Sequence, residues 1–353
     1  MSLDCFGLHK KPFGMTPDPA MLYLTSQHRE ALAGLAYAVM NEKGFVVLTG
    51  DAGTGKTTLL SRVLQHFSAD RVQASLVFNP TVTPAEFLEM ALMGWGLTDL
   101  PASKPQRLRM LRQMLLDAHA QHKIVILVVD EAHTLTSEVL EEIRLLGNFE
   151  QAEHKLLQII LAGQSELTDL LNRDNLRQFK QRVAVRLKIE PLSANEVQEY
   201  IRTRWIKAGG LEAPFSAEAY AEIARWSKGV PRVINAICDN SLTLAIADGA
   251  VVVNEGQVRE SCRDLDLLRD IDHGRAALAP APSEDRANPQ VAAAPDPAVL
   301  NRQVNNGAPV LPAVPFAAIK QQGTTLSTLE RYVPVKPRRS FLARFAGILG
   351  FAN

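Results

Sequence analysis

One short stretch constrains this chain more than any other: Gly50-Asp51-Ala52-Gly53-Thr54-Gly55-Lys56-Thr57, followed by Thr58. An apolar run, Phe45 to Thr49, precedes it and reads as a buried strand. Behind it, from Lys56 to Phe67, Leu59, Leu60, Val63, Leu64 and Phe67 fall at helical spacing. Strand, glycine-rich loop and helix in that order give the G-x-x-x-x-G-K-[ST] pattern its required context. Glycines at 50, 53 and 55 admit backbone angles closed to other residues and let the chain approach a ligand closely. Loop amides and the helix N-terminus then offer donors and positive potential to phosphate oxygens. On this reading Gly50, Asp51, Ala52, Gly53, Thr54, Gly55, Lys56, Thr57 and Thr58 cradle the phosphates of ATP. Lys56 meets the β- and γ-phosphates, and the Thr57 hydroxyl holds Mg²⁺. A glycine turn before an ordinary helix is the plain alternative, and the flanking pattern weighs against it.

A chain of 353 residues allows about two domains. Its 46% hydrophobic and 22% charged content is that of a soluble globular protein. Formal net charge is zero, so no global basic field announces a nucleic-acid binder. Cys5, Cys238 and Cys262 are far apart in sequence, which makes a disulfide framework or zinc site a poor expectation. The first residues carry Asp4, Lys10 and Lys11 without a long apolar core, so no signal peptide is read there. No uninterrupted run approaches the roughly 20 apolar residues of a membrane span. The expected compartment is the cytoplasm.

Prolines punctuate an extended opening over residues 1–24, and Ser26 reads as the cap of a helix from Gln27 to Asn41. Strands are expected at 45–49, 75–78 (ended by Asn79-Pro80), 124–129, 156–162 and 183–189, with helices between them. Alternation of this kind argues for a five-stranded parallel α/β sheet with helices on both faces, over residues 1–190. From Pro191 to 271 the pattern is helical only, with candidates at 194–208, 217–227, 232–247 and 255–268. Residues 272–335 are rich in Ala, Pro, Asn and Gln and read as a disordered linker. In the closing segment, 336–353, Phe341, Leu342, Phe345, Ile348 and Leu349 form one apolar helical face flanked by Lys336, Arg338, Arg339 and Arg344. Such a segment can lie in a membrane interface, dock into a partner's groove or pack on its own core.

Asp130-Glu131 closes the apolar run 124–129. A carboxylate there faces the Mg²⁺ held by the loop threonine, which is the role of Asp130. Glu131 is then placed to orient and deprotonate the attacking water. Asp130-Glu131-Ala132-His133 also spells a helicase motif, but that class needs a second sheet domain, and only helices follow here. His133 reads as a residue at the start of a helix rather than a catalytic one. Gln164, at the end of the strand beside the Asp130 strand, is a candidate to reach the γ-phosphate or the water. Arg177, Arg182 and Arg186 lie around the last helix–strand boundary of the sheet. Arg182 is favoured as a finger supplied to a neighbouring subunit. Gly229-Val230-Pro231-Arg232 opens a helix, which projects Arg232 from a fixed point onto the phosphates.

These features in this order resemble the AAA+ P-loop ATPases, and more narrowly the ExeA/GspA type of general secretion pathway ATPase. The opening Phe6-Gly7-Leu8, Pro12-Phe13, Pro17-Asp18-Pro19, Tyr23-Leu24 and His28-Arg29-Glu30-Ala31-Leu32 is similar to that family, as are Leu161-Ala162-Gly163-Gln164 and Leu176-Arg177 with Gln181-Arg182. The resemblance covers about residues 4–268. It implies an ATP- and Mg²⁺-dependent hydrolase with a helical lid, Gln164 and Arg232 sensing the γ-phosphate, and a homo-oligomer with sites between subunits. Implied partners are envelope export or assembly proteins, with possible peripheral contact at the inner membrane. Members of that type usually continue into a membrane span and a peptidoglycan-binding domain, neither of which is read in this sequence. Transposition helper ATPases are more distant relatives, so a DNA-targeting role is the alternative.

Overall fold

The structure is a computed structural model describing residues 6–267 apart from Pro17, Ala69, Asn79 and Pro80. The expected linker, 272–335, the amphipathic segment, 336–353, and the Asn79-Pro80 strand end lie outside the described residues. Five strands form one parallel sheet: β1 (Phe45–Gly50), β2 (Val72–Val77), β3 (Ile124–Val129), β6 (Leu157–Gly163) and β7 (Val183–Ile189), in the order β2-β3-β6-β1-β7. A two-residue hairpin, β4 (Glu150–Gln151) and β5 (His154–Lys155), stands apart. The helices are α1 (Ser26–Met40), α2 (Lys56–His66), α3 (Pro84–Gly94), α4 (Lys104–Ala120), α5 (Ser137–Leu146), α6 (Glu166–Leu171) and α7 (Arg177–Arg182), then α8 (Ala194–Lys207), α9 (Ala217–Ser227), α10 (Pro231–Ala247) and α11 (Glu255–Asp264).

The central strands are apolar on both faces because both are covered, as a parallel sheet requires. Phe45, Val47, Val125, Leu127, Val129, Ile159 and Leu161 pack with residues of α3 to α7. Val46, Leu48, Ile126, Val128, Ile160 and Ala162, the alternate positions, pack with α1 and α2. Parallel pairing puts every strand's C-terminal end at one edge: Thr49 sits opposite Gly163, Gly50 opposite Ile189, and Val77 opposite Val129. The loops that follow β1, β3 and β6 therefore converge there.

A third core belongs to α8–α11 and takes in Leu8, Phe13 and Met21 from the opening segment. Phe6 meets Trp205 edge-on at 5.3 Å, Phe13 meets Phe215 at 6.2 Å, and Tyr23 meets Tyr200 at 6.1 Å. Residues 6–24, which precede the sheet in sequence, thus form a strap around the helical lid.

Several local expectations shift. Thr25, not Ser26, caps α1; its backbone is extended and its hydroxyl accepts from the His28 amide, while Ser26 is already in the first turn. The second strand begins at Val72, because polar Gln73 interrupts the apolar run but still pairs with Val125. The hairpin and the six-residue α6 carry too few residues for a period to show.

Candidate active site

The loop after β1 is shaped by its glycines for different reasons. Gly53 has φ +78°, and a Cβ there would lie 2.7 Å from the Arg232 Cβ; the position needs both the angle and the room. Gly50 needs room alone, since a Cβ would come within 2.5 Å of the Ile189 carbonyl oxygen. The sequence reading assigned it an unusual angle, but Gly50 is not among the positive-φ residues. Gly55, left-handed, heads α2. Lys56 Nζ is buried under the loop and donates to the carbonyls of Gly50 at 2.9 Å and Asp51 at 3.0 Å. Burial pulls its pKa down, against the opposing pull of Glu131, Asp130, Asp51 and Glu166. Thr54 Oγ1 donates to the Asp51 carbonyl at 2.8 Å and braces the turn.

The Thr57 hydroxyl donates to Asp130 Oδ2 at 2.5 Å, joining the start of α2 to the end of β3. Asp130 is buried, and its Oδ1 accepts the Glu131 amide at 2.9 Å. Glu131 itself is left-handed at φ 54° and ψ 33°, a conformation a side chain resists and that the surrounding contacts must hold. Hydroxyl and carboxylate oxygens are hard donors and suit Mg²⁺ rather than a softer metal. The donor set therefore fits the ion expected from sequence.

A cleft of about 330 Å³ opens beside Thr57 and Glu131, with Asp130 buried behind its lining. Gly53 to Thr58, Glu131 and Arg232 line it. Arg232 also donates its amide to the Gly53 carbonyl at 3.3 Å, so the lid rests on the loop. Gln164 does not line the cleft. It lies beside His133: its amide donates to His133 Nδ1 at 3.4 Å, and its Nε2 lies 3.1 Å from His133 Nε2. His133 Nδ1 is also 3.4 Å from the Glu131 carboxylate. Nδ1 cannot accept the amide proton and donate to the carboxylate at once. The imidazole, on a 3-10 turn over Ala132–Thr134, therefore lies between Glu131 and Gln164 with one of them bonded to Nδ1 at a time, a place not foreseen for a residue read as a helix start.

Arg182 is at the other end of the sheet. Its neighbour Val183 pairs with Phe45, the first residue of β1, whereas the loop follows the last. Six residues at about 3.3 Å each separate the two edges. Arg182 Nη1 donates to the Arg144 carbonyl at 3.2 Å and to Asn148 Oδ1 at 2.5 Å. It cannot serve the cleft of its own chain. Arg177 and Arg186 are exposed nearby.

Sequence reading missed the opposite wall. Gly14, Met15, Thr16, Asp18, Met21, Leu22 and Tyr23 of the strap line it, with His28, Tyr200, Arg204 and Asn235. His28 is buried; its Nδ1 is 2.7 Å from Thr25 Oγ1, and its ring faces the Thr54 backbone. Burial lowers its pKa. One signal for this wall was present in the sequence. Val197, Tyr200, Ile201, Arg204 and Trp205 share the buried stripe of α8, so an arginine occupies a core position.

A family model described as an AAA domain matches residues 39–171, from the last turn of α1 to the end of α6. Those residues hold the phosphate loop, the Asp-Glu strand end and the strands β1, β2, β3 and β6, so it is this part of the chain that matches an AAA domain on a P-loop fold. More particularly, the chain is 38% identical over 274 residues to general secretion pathway protein A of Aeromonas hydrophila. That match covers 76% of this chain and 49% of the relative, so the chain spans about half that protein's length. It is 27% identical over 266 residues to ATP-dependent target DNA activator B of Escherichia phage Mu, covering 72% and 77%. Among solved structures, Cdc6p from Pyrobaculum aerophilum superposes with a TM-score of 0.58 at 17% identity, covering 73% of this chain and 71% of that one. At that identity the likeness concerns the fold. No helix among the described residues is long and apolar enough to cross a membrane.

Proposed function

We propose that this chain binds ATP with Mg²⁺ and hydrolyses it, as a homo-oligomer that powers or regulates an envelope export or assembly machine. The observation that carries the chemistry is the contact between Thr57 Oγ1 and Asp130 Oδ2, with Glu131 next in the chain. Thr57 and Asp130 would hold the metal, which when bound offsets phosphate charge. Loop amides and Lys56 hold the phosphates once Lys56 exchanges its carbonyl partners for them. Glu131 orients the attacking water and takes its proton. Arg232 closes the lid on the phosphates, Gln164 supports Glu131 through His133, and Arg182 reaches a neighbouring subunit's site.

The test compares ATP affinity with and without Mg²⁺ in the natural protein and in Asp130→Asn. Tightening by Mg²⁺ that is lost in the variant is expected. Equal Mg²⁺ dependence in both would remove Asp130 from the metal site. The export role draws on the likeness to the Aeromonas protein. The basic amphipathic face of 336–353 would bring the ATPase to the cytoplasmic side of the inner membrane. Liposome flotation of the full chain against one ending at Pro334 tests that placement. The likeness to the phage protein favours a second reading, a DNA-targeting helper. Salt-sensitive, ATP-dependent retention of duplex DNA would select it.

A further inference from the structure

The lid buries an arginine whose hydrogen-bond partners among the described residues are all neutral. Arg204, on α8, is 8% exposed. Its Nε donates to the Pro12 carbonyl at 2.6 Å and its Nη1 to the Tyr200 hydroxyl at 3.0 Å, with the guanidinium 5.4 Å from the Tyr200 ring centre. A buried charge without a counter-charge is costly unless its donors are well used. Here they organise a relay. Arginine can only donate, so the Tyr200 oxygen accepts and its proton is free for Asn235 Oδ1, at 2.8 Å. That spends the amide oxygen and turns Asn235 Nδ2 to the Gly14 carbonyl, at 3.5 Å. Burial raises the Tyr200 pKa, which keeps the phenol protonated for this role.

Both ends of the relay land on the strap, two residues apart, at Pro12 and Gly14. The strap just beyond, Gly14 to Thr16, faces the phosphate loop across the cleft, and Tyr200, Arg204 and Asn235 line the same cleft. The loop wall supplies the phosphate contacts. The wall left for the nucleoside is the strap, with Met15, Met21, Leu22 and Leu192 as apolar surface for a flat ring.

We propose that Arg204 is a positioning residue: through Pro12 directly, and through Tyr200, Asn235 and Gly14, it fixes residues 12–16 as the wall that receives the nucleoside half of the nucleotide. It thereby sets nucleotide affinity and discrimination between bases without serving the phosphates. This rests on the nucleotide reading of the cleft.

Arg204→Met keeps the unbranched apolar stem of the side chain and removes every donor, so the Pro12 carbonyl loses this donor and Tyr200 keeps only its bond to Asn235. The readouts are KM and kcat for ATP and for GTP, and inhibition by Mg²⁺–tripolyphosphate, which has phosphates and no nucleoside. Loss of a charge-assisted hydrogen bond predicts a KM for ATP raised about tenfold or more. We expect kcat to change far less, the preference between ATP and GTP to shrink, and tripolyphosphate inhibition to stay as in the natural protein. Tyr200→Phe keeps the ring and cuts the relay in the middle; it shows the same pattern more weakly, and carries the test if Arg204→Met does not fold. Equal weakening of ATP and tripolyphosphate, or no change in either, overturns the inference. A natural protein that binds no nucleotide overturns instead the reading beneath it.

Discussion

The two walls of the cleft are built in different ways. The phosphate wall is local: Gly53 to Thr58 are consecutive, and Asp130-Glu131 adds a second short stretch. The strap–lid wall is assembled across the chain, its key bonds joining residues 192 and 221 positions apart. Short loops with fixed spacing set where charge is received, because phosphate recognition needs only backbone amides, one cation and one hydroxyl. Long-range packing sets the fit of everything else. The walls meet where the strap becomes α1, at Thr25 and His28, and where Arg232 touches Gly53.

The largest effect tests whether these two walls suffice. Arg182 belongs to neither and lies at the far edge of its own sheet. If a neighbouring subunit uses it, Arg182→Ala lowers turnover by about 10³-fold or more, the scale of a finger arginine. Mixing it with Glu131→Gln protein then restores activity at sites pairing an intact glutamate with an intact arginine. Asn148→Ala removes the local bond and keeps the guanidinium, so it should stay active. An active Arg182→Ala, or mixtures that recover nothing, would leave the site to the two walls alone.

Phe13→Ala tests whether the strap belongs to the lid. Phe13 is fully buried in the lid core, and truncating such a phenylalanine costs about 3–5 kcal/mol. Hydrogen exchange should show the loss over α8–α11, with the strands keeping their protection. A loss spread evenly over sheet and lid would erase the distinction.

Gly53→Ala acts where the walls touch. The left-handed angle costs a side chain about 1–2 kcal/mol, and the new methyl would press on Arg232. ATP affinity should fall about tenfold, since 1.4 kcal/mol is one decade. Unchanged affinity would mean that the lid does not close on the loop.

The phosphate wall was readable in the sequence because its geometry is written in adjacent residues. The apolar run 124–129 ending in Asp130-Glu131, and Pro231-Arg232 at a helix start, were readable for the same reason. The three central strands, β1, β3 and β6, showed as apolar runs, since a buried parallel strand has little room for anything else, whereas β7, at the sheet edge, alternates exposed Ala184, Arg186 and Lys188 with more buried residues. The strap was not readable as part of the lid: Phe6, Leu8 and Phe13 have no period, and their partners lie some two hundred residues on. His133 was undervalued because its two partners, Glu131 and Gln164, meet only when β3 and β6 pair. Arg204 was the missed clue, a charge within the apolar stripe of α8.

The most direct test of the account sets Glu131→Gln against Lys56→Ala, with ATP affinity and steady-state turnover measured in each. If Glu131 serves only the attacking water, as proposed, its amide variant should bind ATP as the natural protein does and lose about 10²–10⁴-fold in turnover. Lys56→Ala should lose binding itself. Turnover that survives in Glu131→Gln, or ATP affinity that survives in Lys56→Ala, would contradict the assignment of this cleft as an ATP-hydrolysing site.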